Sequence, residues 1–357
     1  MNDEFIGAQL NKINVTYAVA IHLFTLLFFL FGYLSSFKQY DIKYSLKKKK
    51  SISLSKGFVF YSSVLILIGI VTSIATMVQI VSPIDYLSKF ISGNTIDLAH
   101  ARNQAGKSGL PGILKMLNCL PLGVFLIVNG IKAFYNTSHK DNFKLNVVII
   151  ISLLMCFVKM LFSLDRITLL AIFVVFIYRF FLDKKLNLKA VAFFGVMIFF
   201  LGFITSVRMN KASILEFIIV YFKLSIVNFQ LVLDNQTEWS YGFNTFLMPL
   251  AYIFKFFGVE NFSVVGPQKY TVDTAQYFAS NLYIDFGYFF FVGFYLMGIF
   301  VRRIQIKSIS GASYYPQIYF IVLFALASFV SVPIIRGVEF WVMLLLAYLY
   351  NKFIKFI

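Results

Sequence analysis

The chain has few of the residues from which soluble active sites are usually built. It contains 2 cysteines, 3 histidines and 13% charged residues, whereas a soluble domain has roughly 25% charged residues. Cys119 and Cys156 both lie in apolar stretches, so we predict no disulfide, metal site or thiol chemistry. The sequence also shows no glycine-rich phosphate loop and no nucleophile elbow, and we expect no cofactor.

The residues present in excess are apolar: they make up 60% of the sequence and include 45 phenylalanines. Soluble domains have roughly 45–50% apolar residues, so the composition indicates a membrane protein. The net charge of +17 does not indicate nucleic-acid binding, because the lysines and arginines are concentrated in short connectors between apolar segments. This is the positive-inside pattern of a multi-pass protein in a lipid bilayer.

Nine apolar segments approach the length of about 20 residues that a membrane-spanning helix needs. They are Val15–Phe37, Gly57–Val81, Gly112–Ile131, Leu145–Ser163, Ile167–Leu182, Ala190–Val207, Asn281–Val301, Pro316–Ile335 and Val338–Phe356. Two further apolar segments, Ser213–Leu233 and Phe243–Gly258, are ambiguous. We therefore predict an all-α fold, a polytopic transmembrane helical bundle of about 9–11 spans, as a single integral membrane domain over residues 1–357.

The lysine distribution predicts the direction of each helix. The first connector contains the run Lys47–Lys50, which we interpret as a cytoplasmic topology anchor against anionic lipid. With alternation from there, the other short basic connectors all fall on the same side: residues 132–144, 184–189, 302–307 and 352–355. The N-terminus is then predicted outside and the C-terminus inside, in the plasma (inner) membrane of a bacterium.

Two external regions stand out by size, a first loop at residues 82–111 and a large loop at residues 208–280. In the large loop, Ser213–Leu233 is followed by acidic residues that include Asp234 and Glu238. We favour an arrangement in which Ser213–Leu233 and Phe243–Gly258 lie at the outer interface with their apolar faces towards the lipid. The alternative is a hairpin that crosses the membrane twice.

Four arginines lie on the predicted outer side, where the positive-inside rule disfavours them: Arg102, Arg166, Arg208 and Arg336. Guanidinium groups make forked hydrogen bonds to phosphate, so a ligand that carries a diphosphate would account for them. The structural alternatives are a local pair with Asp165 for Arg166, an interfacial anchor for Arg208 and a pair with Glu339 for Arg336.

Two pairs of polar residues are candidates for acid–base chemistry. Asp97 and His100 lie three residues apart in the first external loop, where a plain polar loop is the alternative. Asn281 and Asp285 lie four apart and share a helix face, with Asp285 predicted about one turn inside the outer end of a span. A charge at that depth is a functional candidate by default; the alternative is a structural pair with an external arginine.

Three stretches resemble the Wzy-type oligosaccharide repeat-unit polymerases, also called O-antigen polymerases. They are Asn281–Gly287 at the start of a late span, Ser163–Arg166 at the head of a mid-chain span, and Arg208 with the Tyr221-Phe222 and Asn228-Phe229 region that follows. The resemblance implies a C-type glycosyltransferase architecture that uses undecaprenyl-diphosphate-linked oligosaccharides, with a chain-length regulator and a flippase as further partners. The implied reaction extends a surface polysaccharide, such as O-antigen, capsule or exopolysaccharide, at the outer face of the membrane.

This chemistry suggests roles for the candidate residues. Arg166 and Arg208 would stabilise the departing diphosphate, and the base would be one of Asp97, His100, Glu216 and Asp285. Contacts to the substrate are expected from Arg102, Arg336, Tyr221, Asn228 and Asn281. Tyr221, Tyr270, Tyr277 and Trp239 would stack on sugar rings or form an interfacial aromatic belt. The alternative functions are an O-antigen ligase, a flippase or other transporter of lipid-linked oligosaccharides, and a non-catalytic membrane scaffold.

Overall fold

A computed structural model of the chain describes residues 14–35, 49–78, 116–163, 166–183, 214–235, 239–247, 278–329 and 337–357, with the single residues 85, 88, 195, 199, 202, 250 and 335. Its α-helices are α1 (Thr16–Ser35), α2 (Phe58–Val78), α3 (Leu120–Phe134), α4 (His139–Ser163), α5 (Arg166–Asp183), α6 (Ile214–Asn235), α7 (Phe278–Phe286), α8 (Phe290–Ile309), α9 (Tyr315–Ser328) and α10 (Val338–Tyr350). Three short strands are β1 (Ser51–Leu54), β2 (Asn136–Thr137) and β3 (Ile354–Phe356). Shorter helical turns lie at Leu117–Cys119, Phe243–Leu247, Gly287–Phe289 and Asn351–Phe353.

The described part of the chain is mainly helical, as the hydropathy predicts. Five helical segments are long and apolar enough to cross a membrane: Thr16–Ser35, Phe58–Thr76, Leu117–Phe134, His139–Met160 and Phe278–Ile309. Two shorter apolar helices, Ile167–Phe180 and Tyr315–Ser328, coincide with two further predicted spans. These segments agree with a mainly helical, polytopic membrane protein, because only a helix satisfies its own backbone hydrogen bonds in lipid. The predicted span Ala190–Val207 lies outside the described residues, apart from residues 195, 199 and 202.

The last predicted span, Val338–Phe356, is wrong at its C-terminal end. Helix α10 stops at Tyr350, and the residues after it form a turn and then strand β3. The backbone of β3 pairs with β1 in antiparallel register, with Ile52 opposite Phe356 and Leu54 opposite Ile354. An apolar stretch reads the same in a helix and in a buried strand, so hydropathy alone places this boundary too late.

One compact unit contains α1, most of α6, α7 and most of α8. Helices α1 and α8 run parallel, because contacts that advance along α1 also advance along α8. The rings of Phe28 and Phe291 lie 5.3 Å apart, and a Cβ on Gly32 would lie 1.9 Å from the carbonyl oxygen of Tyr295. The parallel course agrees with the lysine pattern, which starts both helices at the outer face.

Helix α6 joins this unit through its C-terminal half. The amide of Ala18, at the start of α1, donates to Gln230 Oε1 at 2.9 Å, and Gln230 Nε2 donates to Asp234 Oδ1 at 2.8 Å. The acidic end of α6 therefore lies beside the start of α1. The direction of α1 that the lysines predict would place this acidic end at the outer face, as in the favoured arrangement of the large loop, and both stay predictions.

The second compact unit contains β1, α2, α3, β2, α4, α5 and β3, with parts of α9 and α10. Helix α3 is its central element, because 83% of the Leu117–Phe134 span is buried, compared with 33% for the span in α2 and 28% for the span in α4. Its glycines allow close approach: a Cβ on Gly130 would lie 2.0 Å from the carbonyl oxygen of Pro316. The exposed sides of α2 and α4 are apolar and suit contact with lipid.

A small three-stranded sheet in this second unit, in the order β2-β1-β3, was not predicted. It joins the residues just before α2, those between α3 and α4, and those after α10. The lysine pattern assigns all three connectors to the cytoplasmic side, so the sheet gathers at one end of the unit the segments that the sequence places on one side. Beside the sheet, burial raises the pKa of Tyr135, whose hydroxyl donates to the carbonyl oxygen of Ser313 at 2.6 Å.

Candidate functional site

The candidate site is formed where α7 turns into α8, at the end of this pair that the lysine pattern assigns to the outer face. Helix α7 ends at Phe286 and is followed by the turn Gly287–Phe289 before α8 begins. Gly287 has φ of +55°, a left-handed conformation that favours glycine. A Cβ at this position would lie 2.7 Å from the indole ring of Trp239, so glycine is also required for the close approach of Trp239.

Asp285, at the end of α7, binds the segment 239–247 through its carboxylate. The Ser240 hydroxyl donates to Asp285 Oδ1 at 2.5 Å, and the Asn244 amide donates to the same oxygen at 2.9 Å. The Thr245 amide donates to Oδ2 at 2.8 Å. Three donors thus surround a carboxylate that is only 1% exposed, which offsets much of the cost of burying the charge.

The two backbone amides belong to the first turn of the short helical segment Phe243–Leu247. Amides at the start of a helix lack partners within the helix, and an anionic side chain there is favourable. Asp285 therefore caps this turn although it lies 41 positions after Asn244 and 40 positions after Thr245 in the chain. The cap orients segment 239–247 against α7.

Asn281 lies one helical turn before Asp285 and holds the same segment. The side-chain amide of Asn244 donates to Asn281 Oδ1 at 3.1 Å and to the Asn281 carbonyl oxygen at 3.3 Å. The Ser240 amide donates to the carbonyl oxygen of Ile284 at 3.0 Å. Asn281 and Asn244 are fully buried. Asn281 and Asp285, which were predicted to share a helix face, therefore both hold segment 239–247.

This anchoring presents a group of exposed aromatic side chains, which we call the aromatic surface. Its members come from segment 239–247 and from the end of α7 with its following turn: Trp239, Tyr241, Phe243, Phe246, Phe286, Tyr288 and Phe289. The Phe246 and Phe286 rings lie 6.4 Å apart, and Trp239 lies 5.6 Å from Tyr283 in an edge-on arrangement. The aromatic surface thus joins residues from two distant parts of the chain, since Ser240 and Asp285, which connect them, are 45 positions apart.

The structure describes four of the candidate residues in full: Asn228, Trp239, Asn281 and Asp285. Asn281 and Asp285 are brought together with Ser240 and Asn244, and Asn228 is fully buried on α6. Its neighbour Phe229 faces Tyr283 of α7, with ring centroids 6.5 Å apart. Arg166 is the first residue of α5 and Tyr221 lies within α6, but their side chains are not among those described. Asp97, His100, Arg102, Arg208 and Arg336 lie outside the described residues, as do Tyr270 and Tyr277.

Sequence reasoning missed the partners of Asp285. Ser240 lies in the predicted large loop, and Asn244 and Thr245 lie at the start of its second apolar segment, Phe243–Gly258. No spacing rule connects these residues to one so far along the chain. Asp285 accepts hydrogen bonds from a hydroxyl and two backbone amides. The structural alternative, a pair with an external arginine, involves side chains that lie outside those described. The carboxylate is buried and accepts three hydrogen bonds, which hold segment 239–247 in place. Its service as the base that reaches the acceptor hydroxyl stays a prediction.

The sequence also left Arg179, in the last two turns of α5, without a role. Its guanidinium donates to Asn129 Oδ1 at 3.3 Å, and the amide of Asn129 donates to the carbonyl oxygen of Phe125 at 2.7 Å. Polar groups within membrane helices are expensive and are usually paired in this way. This interaction links α3 to α5 in the second unit, on the side that the lysine pattern assigns to the cytoplasm.

Comparison of the chain with protein-family models, with curated proteins and with solved structures finds no match in any of the three. Among the described residues there is also no group of three or more His, Cys, Asp or Glu side chains that could hold a metal ion. The function is therefore argued from the chain's own residues.

Proposed function

We propose that the chain is a membrane glycosyltransferase that polymerises undecaprenyl-diphosphate-linked oligosaccharide repeat units at the outer face of a bacterial plasma membrane. The observation that supports this proposal is the aromatic surface, which Asp285 and Asn281 hold at the start of α8. A multi-pass helical framework that carries a rigid, exposed aromatic surface near the lipid interface suits a substrate that is partly sugar and partly lipid.

The composition of the aromatic surface matches both parts of such a substrate. Trp239, Tyr241 and Tyr288 have aromatic rings that carry a polar N–H or O–H group, and the apolar faces of sugar rings can pack on these rings. Phe243, Phe246 and Phe289 have no polar atoms and suit the prenyl chain of the carrier. Trp and Tyr also form the usual interfacial belt of membrane proteins. The proposal therefore requires that their substitution weakens substrate binding and does not act only on insertion of the protein into the membrane.

The proposed reaction forms one glycosidic bond and breaks one sugar–phosphate bond. A hydroxyl at the non-reducing end of a new repeat unit attacks the anomeric carbon of the growing glycan, and the bond to the diphosphate breaks. The undecaprenyl diphosphate leaves with the bonding electrons, and a base accepts the proton of the hydroxyl. Arg166 and Arg208 are proposed to stabilise the charge that develops on the leaving oxygen.

The direct test is reconstitution of the purified protein in liposomes with an undecaprenyl-diphosphate-linked oligosaccharide. Chain extension, seen as a ladder of products with two or more repeat units, would support the proposal. Transfer of single glycans to a different lipid acceptor would indicate the ligase instead. Movement of the lipid-linked oligosaccharide across the bilayer without extension would indicate the flippase.

The matching test in cells is deletion of the gene, followed by analysis of the surface glycan. Loss of long polymer with retention of single repeat units is expected for a polymerase. Loss of all surface glycan would contradict the proposal and favour the ligase. Complementation with the wild-type chain controls for effects on neighbouring genes.

A further inference from the structure

The three-stranded sheet forms an ordered surface at the end of the second unit that the lysine pattern assigns to the cytoplasm. Its inward side chains, Ile52, Leu54 and Ile354, are buried. Its outward positions carry short or charged side chains, with Ser51 paired to Asn136 and Ser53 paired to Lys355. The exposed face of the sheet is therefore polar and has no large side chain in its centre strand.

Five exposed lysines, which we call the sheet lysines, lie on the strands or within three residues of them: Lys50, Lys56, Lys140, Lys352 and Lys355. Backbone pairing brings distant members close, because the Ser55 amide donates to the carbonyl oxygen of Phe353 at 3.0 Å, next to Lys56 and Lys352. Lys50 also lies 5.6 Å from the centre of the Phe356 ring. Lys355 lies on β3 and the other four lie one to three residues from a strand, so the hydrogen-bonded strands gather these lysines at one end of the unit.

Among the described residues, the carboxylate of Asp141 lies beside the sheet and is paired with a lysine that is not one of the sheet lysines. Asp141 is buried, accepts a hydrogen bond from the Leu54 amide at 3.2 Å and is paired with Lys144 at 2.6 Å. Asp141 therefore holds β1 to the start of α4 and uses a different lysine. The side chains of all five sheet lysines are exposed.

The depth of the sheet follows from the length of α2. This helix has 21 residues and is about 31 Å long at 1.5 Å per residue, close to the roughly 30 Å thickness of the hydrocarbon core. Strand β1 ends four residues before α2 begins, so it lies at the level of the lipid headgroups. The stacked rings of Tyr61 and Phe353, 4.7 Å apart, are aromatic residues of the kind that mark this level.

We propose that the sheet and its five lysines form a binding surface for the phosphate groups of anionic lipids in the cytoplasmic leaflet. Positive charges fixed at headgroup depth meet lipid phosphates before they meet any soluble partner, which is why the lipid is the favoured occupant. The surface goes beyond a flexible lysine run, because a hydrogen-bonded sheet fixes the backbone of the segments that carry the lysines. The proposal does not rest on the proposed glycosyl transfer.

The test uses the full-length protein in a neutral detergent and short-chain phosphatidylglycerol as the probe, with the affinity measured by calorimetric titration. A Lys50→Gln/Lys355→Gln double variant is expected to lose about fivefold in affinity for each lysine removed. The control is Arg303→Gln, which removes one exposed cationic group from α8 on the same side but not from the sheet. Its effect is expected to be clearly smaller than that of either single sheet variant.

Two more variants keep the test sharp if the double variant is poorly folded. Lys50→Arg/Lys355→Arg keeps the charge and should keep the affinity, and Lys355→Glu should weaken binding more than Lys355→Gln. Equal losses in Arg303→Gln and Lys355→Gln would overturn the proposal, as would equal binding of phosphatidylcholine. Displacement of the lipid by inorganic phosphate at equal concentration would also overturn it, in favour of a free-phosphate site. Unchanged lipid affinity in the double variant would overturn it as well and leave the lysines to a soluble acidic partner.

Discussion

Ser240 donates its hydroxyl hydrogen to the carboxylate of Asp285 at 2.5 Å, across 45 positions of the chain. This bond closes segment 239–247 onto the end of α7, and the amides of Asn244 and Thr245 complete the same carboxylate's set of donors. The aromatic surface depends on this interaction, because its members lie on the two segments that the carboxylate joins. The predictions below test the anchor, the surface, the arginines and the orientation.

Asp285→Asn is expected to destabilise the protein and to reduce polymerisation. The new amide group would place N–H donors opposite the donors of Ser240, Asn244 or Thr245, which leaves at least one buried donor without an acceptor, at a cost of about 1–3 kcal/mol. The thermal unfolding midpoint in detergent measures the loss. Asp234→Asn is the control, because Asp234 is exposed on α6 and the Oδ1 of an asparagine can still accept the hydrogen bond from Gln230. Equal stability of both variants would show that the carboxylate does not anchor the segment.

Gly287→Ala should displace Trp239 and so disturb the aromatic surface. The residue has φ of +55°, and the new Cβ would lie 2.7 Å from the Trp239 ring, so strain and displacement together should cost about 1–3 kcal/mol. The emission of Trp239, recorded in a Trp341→Phe background, should change with it. Gly57→Ala is the control, because its Cβ would find its nearest neighbour, Phe353, at 3.9 Å. Unchanged Trp239 emission in Gly287→Ala would contradict the close contact.

Trp239→Leu should raise the KM for the lipid-linked oligosaccharide by up to about tenfold, since one aromatic contact contributes roughly 0.5–1.5 kcal/mol. The chain supplies a matched control, because Trp341 has the same exposed fraction of 41% as Trp239. Trp341→Leu should leave KM unchanged. Equal effects of the two substitutions on expression and on KM would assign both residues to the interfacial belt.

Arg166→Lys and Arg208→Lys should each lower kcat for polymerisation by roughly 10²–10³-fold, the cost of losing one donor to developing charge. A lysine keeps the charge but not the forked donor geometry, so expression and membrane insertion should be retained. Arg303→Lys, on the cytoplasmic side of the predicted topology, is the matched control. Full activity of both arginine variants would remove these residues from the proposed site.

Single-cysteine labelling should place Tyr241 and Lys355 on opposite sides of the membrane, as the lysine pattern predicts. Both native cysteines are buried, so a membrane-impermeant maleimide should react mainly with an introduced one. Tyr241→Cys, at a position that is 78% exposed on the aromatic surface, should react in intact cells from which the outer membrane has been removed. Lys355→Cys, on β3, should react only after the inner membrane is opened. The reverse pattern would end the proposed function.

Much of the candidate site was accessible from sequence only as a list of single residues. The spacing of Asn281 and Asp285 predicted a shared helix face, and both residues do hold the same segment. Their partners Ser240 and Asn244 were not predictable, because hydrogen bonds across 45 and 41 positions of the chain leave no local signal. Trp239 was already a candidate aromatic residue, but its contact with Gly287 required the folded chain.

The boundaries of the fold show the same division. Helices α1, α2 and α4 lie within a few residues of the predicted bounds at most of their ends, because long apolar runs in lipid have to satisfy their backbone hydrogen bonds internally. The end of α10 was misplaced because Ile354 and Phe356 pair with β1, about 300 positions earlier in the chain, as the register of Ile52 with Phe356 shows. Hydropathy contains no information about such a pairing.

Composition and lysine placement therefore determined the membrane class, the helical secondary structure and the expected direction of each span, since these follow from the transfer of single segments into a bilayer. Tertiary structure alone decided that three basic connectors form one sheet, and that a buried carboxylate holds an aromatic surface in place. Both features depend on hydrogen bonds between residues far apart in the chain, whose meeting is decided by packing and not by the local pattern.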